Sequence, residues 1–317
     1  MQLEPKKTRE DLTRFAWLSI ATAIATIALK TGSYFLTGSV GLLSDAAEST
    51  VNLVAAIVAL VALRVAAQPP AEHHHFGRTK AEYLSAAVEG IMIFVAAAFI
   101  IYAAVGRLLD PQPLEQVGIG LAISVVASLL NGAVAVVLMR AGKEHKSITL
   151  TADGKHLLTD VWTSVGVLVG VSLVAVTGWL PLDPIIAILV GINIIWTGWH
   201  LISQSLDGLM DHAMTPEEHE KLTKVLSEFD CPETRFHSVR TRVAGHLAYI
   251  DMHVLVPGEW SVQRGHDLVE QVEAAISTVF PDAEVLTHLE PLDDPRAYEG
   301  YYPGISTGNG HEPPAGL

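Results

Sequence analysis

At 317 residues the chain can hold one large domain or two modest ones. Half of it is hydrophobic, 17% is charged and the mean hydropathy is +0.37, which points to a membrane protein. The formal charge of −14 is uneven: residues 206–317 carry 20 acids against 7 bases, which argues against nucleic acid as a partner.

Residues 1–13 read as a polar arm with Lys6, Lys7 and Arg9. The N-terminus is charged and the first apolar run is too long for a signal-peptide core, so no cleavable leader is expected. Apolar spans follow at Arg14–Leu36, Ser39–Leu63, Leu84–Val105, Val117–Met139, Ile148–Val176 and Leu182–Leu201. Each is near or above the roughly 20 residues that cross a bilayer. Six crossings put both termini on one side. The arm, the 64–82 loop (Arg64, Arg78, Lys80) and the 140–146 loop (Arg140, Lys143, Lys146) are basic, whereas Arg107 is the only base in the opposite loops, so both termini are expected in the cytoplasm.

Two spans are interrupted by polar pairs. Glu48 and Asn52 in span two, and His156 and Asp160 in span five, are each spaced i, i+4 and share a helix face. A carboxylate in hydrocarbon is costly unless partnered, so the two pairs are expected to face each other. Together they are a donor set for a divalent metal. Two carboxylates neutralise the ion, and His156 lets protons compete with it near neutral pH. Four ligands suit zinc, with iron, cobalt and manganese as alternatives. The bland alternative is a polar cluster that only fixes helix packing. Asp45 and Asp153, each one turn before a pair, read either as relaying protons or lining the water path into the site, or as a helix-packing bond and a cap of span five, respectively. Asn131 reads as an interhelical hydrogen bond ahead of a ligand, and Lys30 as snorkelling. His73, His74 and His75 on the 68–82 loop are either metal donors or a solvated stretch.

After span six the pattern changes. Thr215-Pro-Glu-Glu opens a helix to about Phe229. Phe236–Val243 and Leu247–Val256 alternate as strands, Ser261–Val279 is an amphipathic helix and Ala283–Leu289 a third strand. This α-β-β-α-β order suggests a two-layer α+β domain. The expected organisation is the arm (1–13), a six-helix transmembrane domain (14–204), a cytoplasmic domain (205–295) and a disordered tail (296–317). Cys231, alone, excludes an intrachain disulfide and a thiolate metal cage. No nucleophile–base arrangement is visible, and His219-Glu-Lys-Leu-Thr lacks the second histidine of a metallohydrolase motif, so no enzyme is expected.

Ser-Val-Gly-Leu-Leu-Ser-Asp-Ala-Ala-Glu-Ser-Thr-Val-Asn of span two, the loop His74-His-Phe-Gly-Arg-Thr-Lys-Ala-Glu82 and His-Leu-Leu-Thr-Asp of span five resemble the cation diffusion facilitators. The resemblance runs from about Leu12 to Pro295. It implies a homodimeric, proton-coupled efflux transporter of divalent metals in the inner membrane, with a metallochaperone-like cytoplasmic domain. It implies a transport site at Glu48, Asn52, His156 and Asp160. The family's usual span-two pair is His or Asp followed by Asp, so Glu48 and Asn52 depart from it and put the metal preference in question. It further implies a two-metal cytoplasmic site at the dimer interface from His237, His253, His266, His288 and Glu290, and a charge pair, Lys80 with Asp211, linking the membrane and cytoplasmic parts across the dimer. In the loop, His74 matches one ligand of a second ion, while Ala71 and Arg78 stand where two others would be. A membrane metal sensor without transport is the alternative function.

Overall fold

The computed structural model describes residues 11–37, 40–109 and 118–298. The chain divides into two units, the first ending at Leu209 and the second beginning at Met210.

Among the described residues, the first unit is six helices: α1 Thr13–Thr37, α2 Val40–Ala66, α3 Ala81–Leu109, α4 Gly118–Glu144, α5 Ile148–Thr177 and α6 Leu182–Leu209. Among the described residues, stretches in all but α5 are long and apolar enough to cross a bilayer. The fold is that of an α-helical membrane protein, and its outside carries large apolar side chains such as Phe99, Val126 and Trp196.

α5, at 30 residues the longest, carries Asp153, Lys155, His156 and Asp160 in its first half. Packing explains why those residues are tolerated there. Leu150 and Leu157 of α5 join Ile20 of α1, Leu60 of α2 and Leu138 of α4 in one buried cluster. Ala152 of α5 joins Ile93 of α3 and Leu201 of α6 in another. This stretch of α5 therefore has protein rather than lipid on two sides, where polar groups can find partners.

Small residues allow the close approach. A Cβ on Gly154 would lie 2.7 Å from Met139 Cγ and 3.1 Å from the Ala135 carbonyl oxygen of α4. Between α3 and α6, a Cβ on Gly198 would lie 3.1 Å from the Gly90 carbonyl oxygen. Packing of small residues of this kind drives helix association where no water is present to be expelled.

Three local expectations change. The cap of α5 is Ser147, whose Oγ accepts from Leu150 N at 3.4 Å; Asp153 lies inside the helix and accepts from Ser19 Oγ at 3.1 Å. Lys30 is buried among the helices rather than snorkelling outward. The chain also stays structured past residue 295, in a 3₁₀ turn at Pro295–Tyr298 that buries Ala297. The rest of the expected disordered tail, and most of the N-terminal arm, lie outside the described residues.

The second unit has helices α7 Pro216–Ser227 and α8 Val262–Val279 and strands β1 Arg235–Ala244, β2 Leu247–Val256 and β3 Ala283–Pro291, in the expected α-β-β-α-β order. Thr215 and Glu218 form a capping box at the start of α7: Glu218 N donates to Thr215 Oγ1 at 3.3 Å and Thr215 N to Glu218 Oε2 at 3.0 Å. The sheet order is β1-β2-β3, antiparallel then parallel. The parallel pair needs a crossover, which α8 supplies. Leu222 and Leu226 of α7 and Val269, Val272 and Ile276 of α8 pack onto Phe236, Ile250, Met252 and Val254. One sheet face is thereby covered, and alternation sends His253 to the other.

Candidate metal sites

In the membrane unit, Asn52 of α2 and His156 and Asp160 of α5 meet. His156 Nε2 lies 2.8 Å from Asn52 Oδ1, and Asn52 Nδ2 donates to Asp160 Oδ2. The amide is thus used at both ends, its oxygen accepting from the imidazole and its nitrogen donating to the carboxylate. All three residues are buried. Glu48 lies one turn before Asn52 on α2, but its side chain, like that of Asp45, lies outside the described residues.

A third helix contributes. Asn131 of α4 donates through Nδ2 to the same Asp160 oxygen at 3.4 Å. The interhelical bond expected of this amide therefore ends on a candidate ligand. Two polar atoms are buried here without a hydrogen-bond partner among the described residues, His156 Nδ1 and Asn131 Oδ1. Each holds a lone pair, or a proton, that a further occupant of the cluster can engage.

The second unit assembles its donors differently. His237, His253 and His288 are register partners across β1, β2 and β3. Neighbouring ring centroids are 5.1 Å and 5.2 Å apart, about the spacing of adjacent strands. Glu290 lies two residues after His288 and so shares its face. Its Oε2 is 3.0 Å from His237 Nε2 and 3.0 Å from His253 Nδ1, and its Oε1 is 3.6 Å from His288 Nε2.

A β-bulge serves this row. The register shifts between His237 and Arg240, and Ser238 takes a positive φ of 49°. Bulges re-aim side chains, and here His237 becomes almost fully buried while its Nε2 reaches Glu290. Burial, partly offset by the Glu290 carboxylate, lowers the His253 pKa below the usual imidazole value. The neutral ring that a metal requires is favoured accordingly. Tyr298 packs its ring edge on His237 at 5.8 Å between centroids and donates to the Leu292 carbonyl at 3.0 Å.

One ligand atom each from His237, His253 and Glu290 can be chosen so that all three lie within 4.8 Å of one another. Donors about 2.0–2.2 Å from one zinc ion stand less than about 4.4 Å apart, so a small inward movement fits this set to a metal. His288 joins at its exposed edge. His266 stands apart on α8, 3.8 Å from Glu270.

The loop histidines do not converge. His73, His74 and His75 are all exposed; His75 Nε2 lies 2.8 Å from the Glu72 carbonyl oxygen, and His74 pairs its backbone with Ala71. Lys80 donates to the Leu209 carbonyl at 3.2 Å, and Asp211 is 3.4 Å from Arg242 Nη1. Asn131, Glu89 and Tyr298 were not singled out as site residues from the sequence. Glu89 carried a usable signal, an acid within an apolar span. Asn131 carried a weaker one, and Tyr298 none.

Residues 16–210 match the cation efflux transmembrane domain and residues 214–292 the cation efflux protein cytoplasmic domain. The chain belongs to the cation diffusion facilitator family. It is 53% identical over 285 residues to the uncharacterized transporter sll1263 of Synechocystis sp., covering 90% of this chain and 92% of that one. It is 31% identical over 292 residues to the cation-efflux pump FieF of Serratia proteamaculans, covering 91% and 95%. The metal-bound C-terminal domain of the CzcD transporter from Thermotoga maritima matches at 29% identity over 26% of this chain and 99% of that one, with a TM-score of 0.24. As a cation diffusion facilitator the chain is a multi-pass membrane transporter for metal-cation efflux, with a cytoplasmic domain of the dimerising type. The family is one of transporters rather than enzymes.

Proposed function

We propose that the chain exports divalent transition-metal cations from the cytoplasm in exchange for protons, as a homodimer in the inner membrane with both termini cytoplasmic. The observation that carries this reading is the buried cluster of Asn52, His156 and Asp160, whose side chains hydrogen-bond one another between two membrane helices. Glu48, one turn before Asn52, brings the second carboxylate. The metal is the substrate. Asp160 and Glu48 match its charge, His156 Nε2 exchanges Asn52 for the ion, and the Asn52 oxygen turns from the imidazole to the metal.

Protons arriving at His156 and the carboxylates displace the ion once the helices rock and the site faces the far side. Zinc is the first expectation for the cargo. An amide in place of an acid removes one negative charge and moves the preference toward iron, cobalt or manganese. In the cytoplasmic domain, His237, His253 and Glu290 hold a regulatory ion, and the exposed His266 and His288 serve a second one together with the partner chain. Such an ion biases transport only if the transporter's conformations bind it with different affinity.

The test is flux. In inside-out vesicles enclosing a metal-sensitive dye, the unaltered chain should accumulate metal and acidify the medium, and Asp160→Ala should do neither. Undiminished uptake by Asp160→Ala would reject the site. Binding without flux in the unaltered chain would favour the sensor alternative.

A further inference from the structure

A second pair of acids is buried in the membrane unit. Glu89 of α3 is 0% exposed and Asp153 of α5 is 1% exposed. Each has one oxygen held by a serine: Ser85 Oγ donates to Glu89 Oε1 at 3.4 Å and Ser19 Oγ to Asp153 Oδ1 at 3.1 Å. The other oxygens, Glu89 Oε2 and Asp153 Oδ2, are buried with no hydrogen-bond partner among the described residues. The Asp153 carboxyl bears on Glu89 electrostatically, and no basic side chain among the described residues offsets either one. An uncompensated acid pair at this depth needs a cation or protons, because each isolated charge is strongly disfavoured away from water.

The location on α5 says more. Asp153, His156 and Asp160 are spaced i, i+3, i+7 and so form one stripe on one helix face. Asp153 is about 4.5 Å nearer the start of α5 than His156, at a rise of 1.5 Å per residue. With the topology proposed above, that is the cytoplasmic side. α3 packs against α5, so Glu89 comes to α5 from a helix other than α2 and α4, which supply Asn52 and Asn131.

We propose that Glu89 and Asp153 form a second intramembrane divalent-cation site, a staging point between the cytoplasm and the Asn52–His156–Asp160 site. This proposal rests on the transport reading. The donors here are all oxygen, two carboxylates and the hydroxyls of Ser19 and Ser85, and such sets hold hard or still partly hydrated ions. The next site along the stripe offers an imidazole, which binds first-row transition ions more tightly. An ion therefore passes from a weak, unselective site to a stronger, selective one. The staging site also ties α3 to α5 while it is filled.

Manganese is a suitable probe, because it favours oxygen donors and its free and bound forms are counted by electron paramagnetic resonance. The full chain is placed in nanodiscs with Asp160→Ala, His237→Ala, His253→Ala, His266→Ala and His288→Ala, which disable the transport site and both cytoplasmic ion positions described above. That background should still bind one further manganese ion per chain. Adding Glu89→Gln, or in a separate protein Asp153→Asn, should weaken this binding by about tenfold or more. A background protein that binds no manganese would overturn the proposal and leave the pair as proton carriers. Binding that survives both Glu89→Gln and Asp153→Asn would overturn it as well. The background count is decisive even where one of these variants fails to fold. Flux through the unaltered chain is measured in parallel; its absence would be a failure of the transport reading, not of this site.

Discussion

The membrane and cytoplasmic donor clusters solve the same chemical problem under opposite constraints. In the membrane unit, Asn52, His156 and Asp160 are buried, and each is engaged by another member of the cluster. In the cytoplasmic unit, His237 is buried, but His253 is partly exposed and His288 stands 68% exposed at the edge. Water can satisfy an exposed imidazole and cannot reach a buried amide. The first cluster therefore has to be complete to be tolerated, whereas the second can be assembled from parts that would each survive alone. Losing one member should be far more damaging in the membrane than in the sheet.

The sharpest break of that comparison is Asp160→Ala. It removes the acceptor of both Asn52 and Asn131, leaving two buried amides short of a partner, at roughly 1–3 kcal/mol for each group. Flux should fall to that of protein-free vesicles, while metal binding by the cytoplasmic cluster is unchanged. Metal titration of the same preparation checks both halves of this outcome.

His253→Ala should act the other way round. It removes the middle of the row His237–His253–His288 and one of the two imidazoles on Glu290 Oε2. Affinity at the cytoplasmic cluster should fall by at least the roughly 10- to 100-fold typical of losing even an outer-shell partner. Flux should be reduced but still measurable. Saturating metal at 100 times its dissociation constant should stabilise the unaltered chain by about 2.7 kcal/mol through that cluster. Removing the ion with a chelator should reverse the shift, and His253→Ala should show much less of it. His266→Ala is milder still: the ring stands apart beside Glu270, so the first ion's affinity should be retained and only the number of ions bound at saturation should drop.

How legible each cluster was follows from the same contrast. Acids and a histidine inside apolar runs stand out, and the i, i+4 spacing of His156 and Asp160 already places them on one face. The meeting of Asn52 with both follows from the cost of burying them alone. The sequence could not show that Asn131 of α4 ends on Asp160, because a lone amide has many helices to choose from. Nor could it show which helix Glu89 faces, because that depends on α3 packing on α5. In the sheet, alternation placed the three histidines one to a strand, but their register depends on a bulge at Ser238 that no local signal marked. Ser238 is a serine at a position that favours glycine. The 3₁₀ turn that brings Tyr298 onto His237 was likewise invisible, since its residues read as the start of a tail.

Gly154→Leu probes the packing that lets α5 carry polar groups at all. The added side chain would press on Met139 and on the Ala135 carbonyl oxygen, pushing α4 and α5 apart at a cost of about 1–3 kcal/mol. Asn131 would be drawn away from Asp160, so flux should drop along with thermal stability. The cytoplasmic cluster should keep its metal affinity.

Ser238→Gly is the mildest change. A non-glycine residue held at φ 49° costs about 1–2 kcal/mol relative to right-handed backbone. Glycine removes that strain, but its greater freedom in the unfolded chain returns about 0.5–1 kcal/mol. The net gain should therefore lie between about 0 and 1.5 kcal/mol, read as a small rise in the thermal midpoint of the full chain, with metal affinity at His237 and Glu290 preserved. Preserved affinity with a higher midpoint would mean that the bulge is set by the sheet around it and that Ser238 merely endures the geometry. Lower affinity would mean that the serine side chain itself helps to aim His237. The cytoplasmic cluster would then depend on its neighbours as closely as the membrane cluster does.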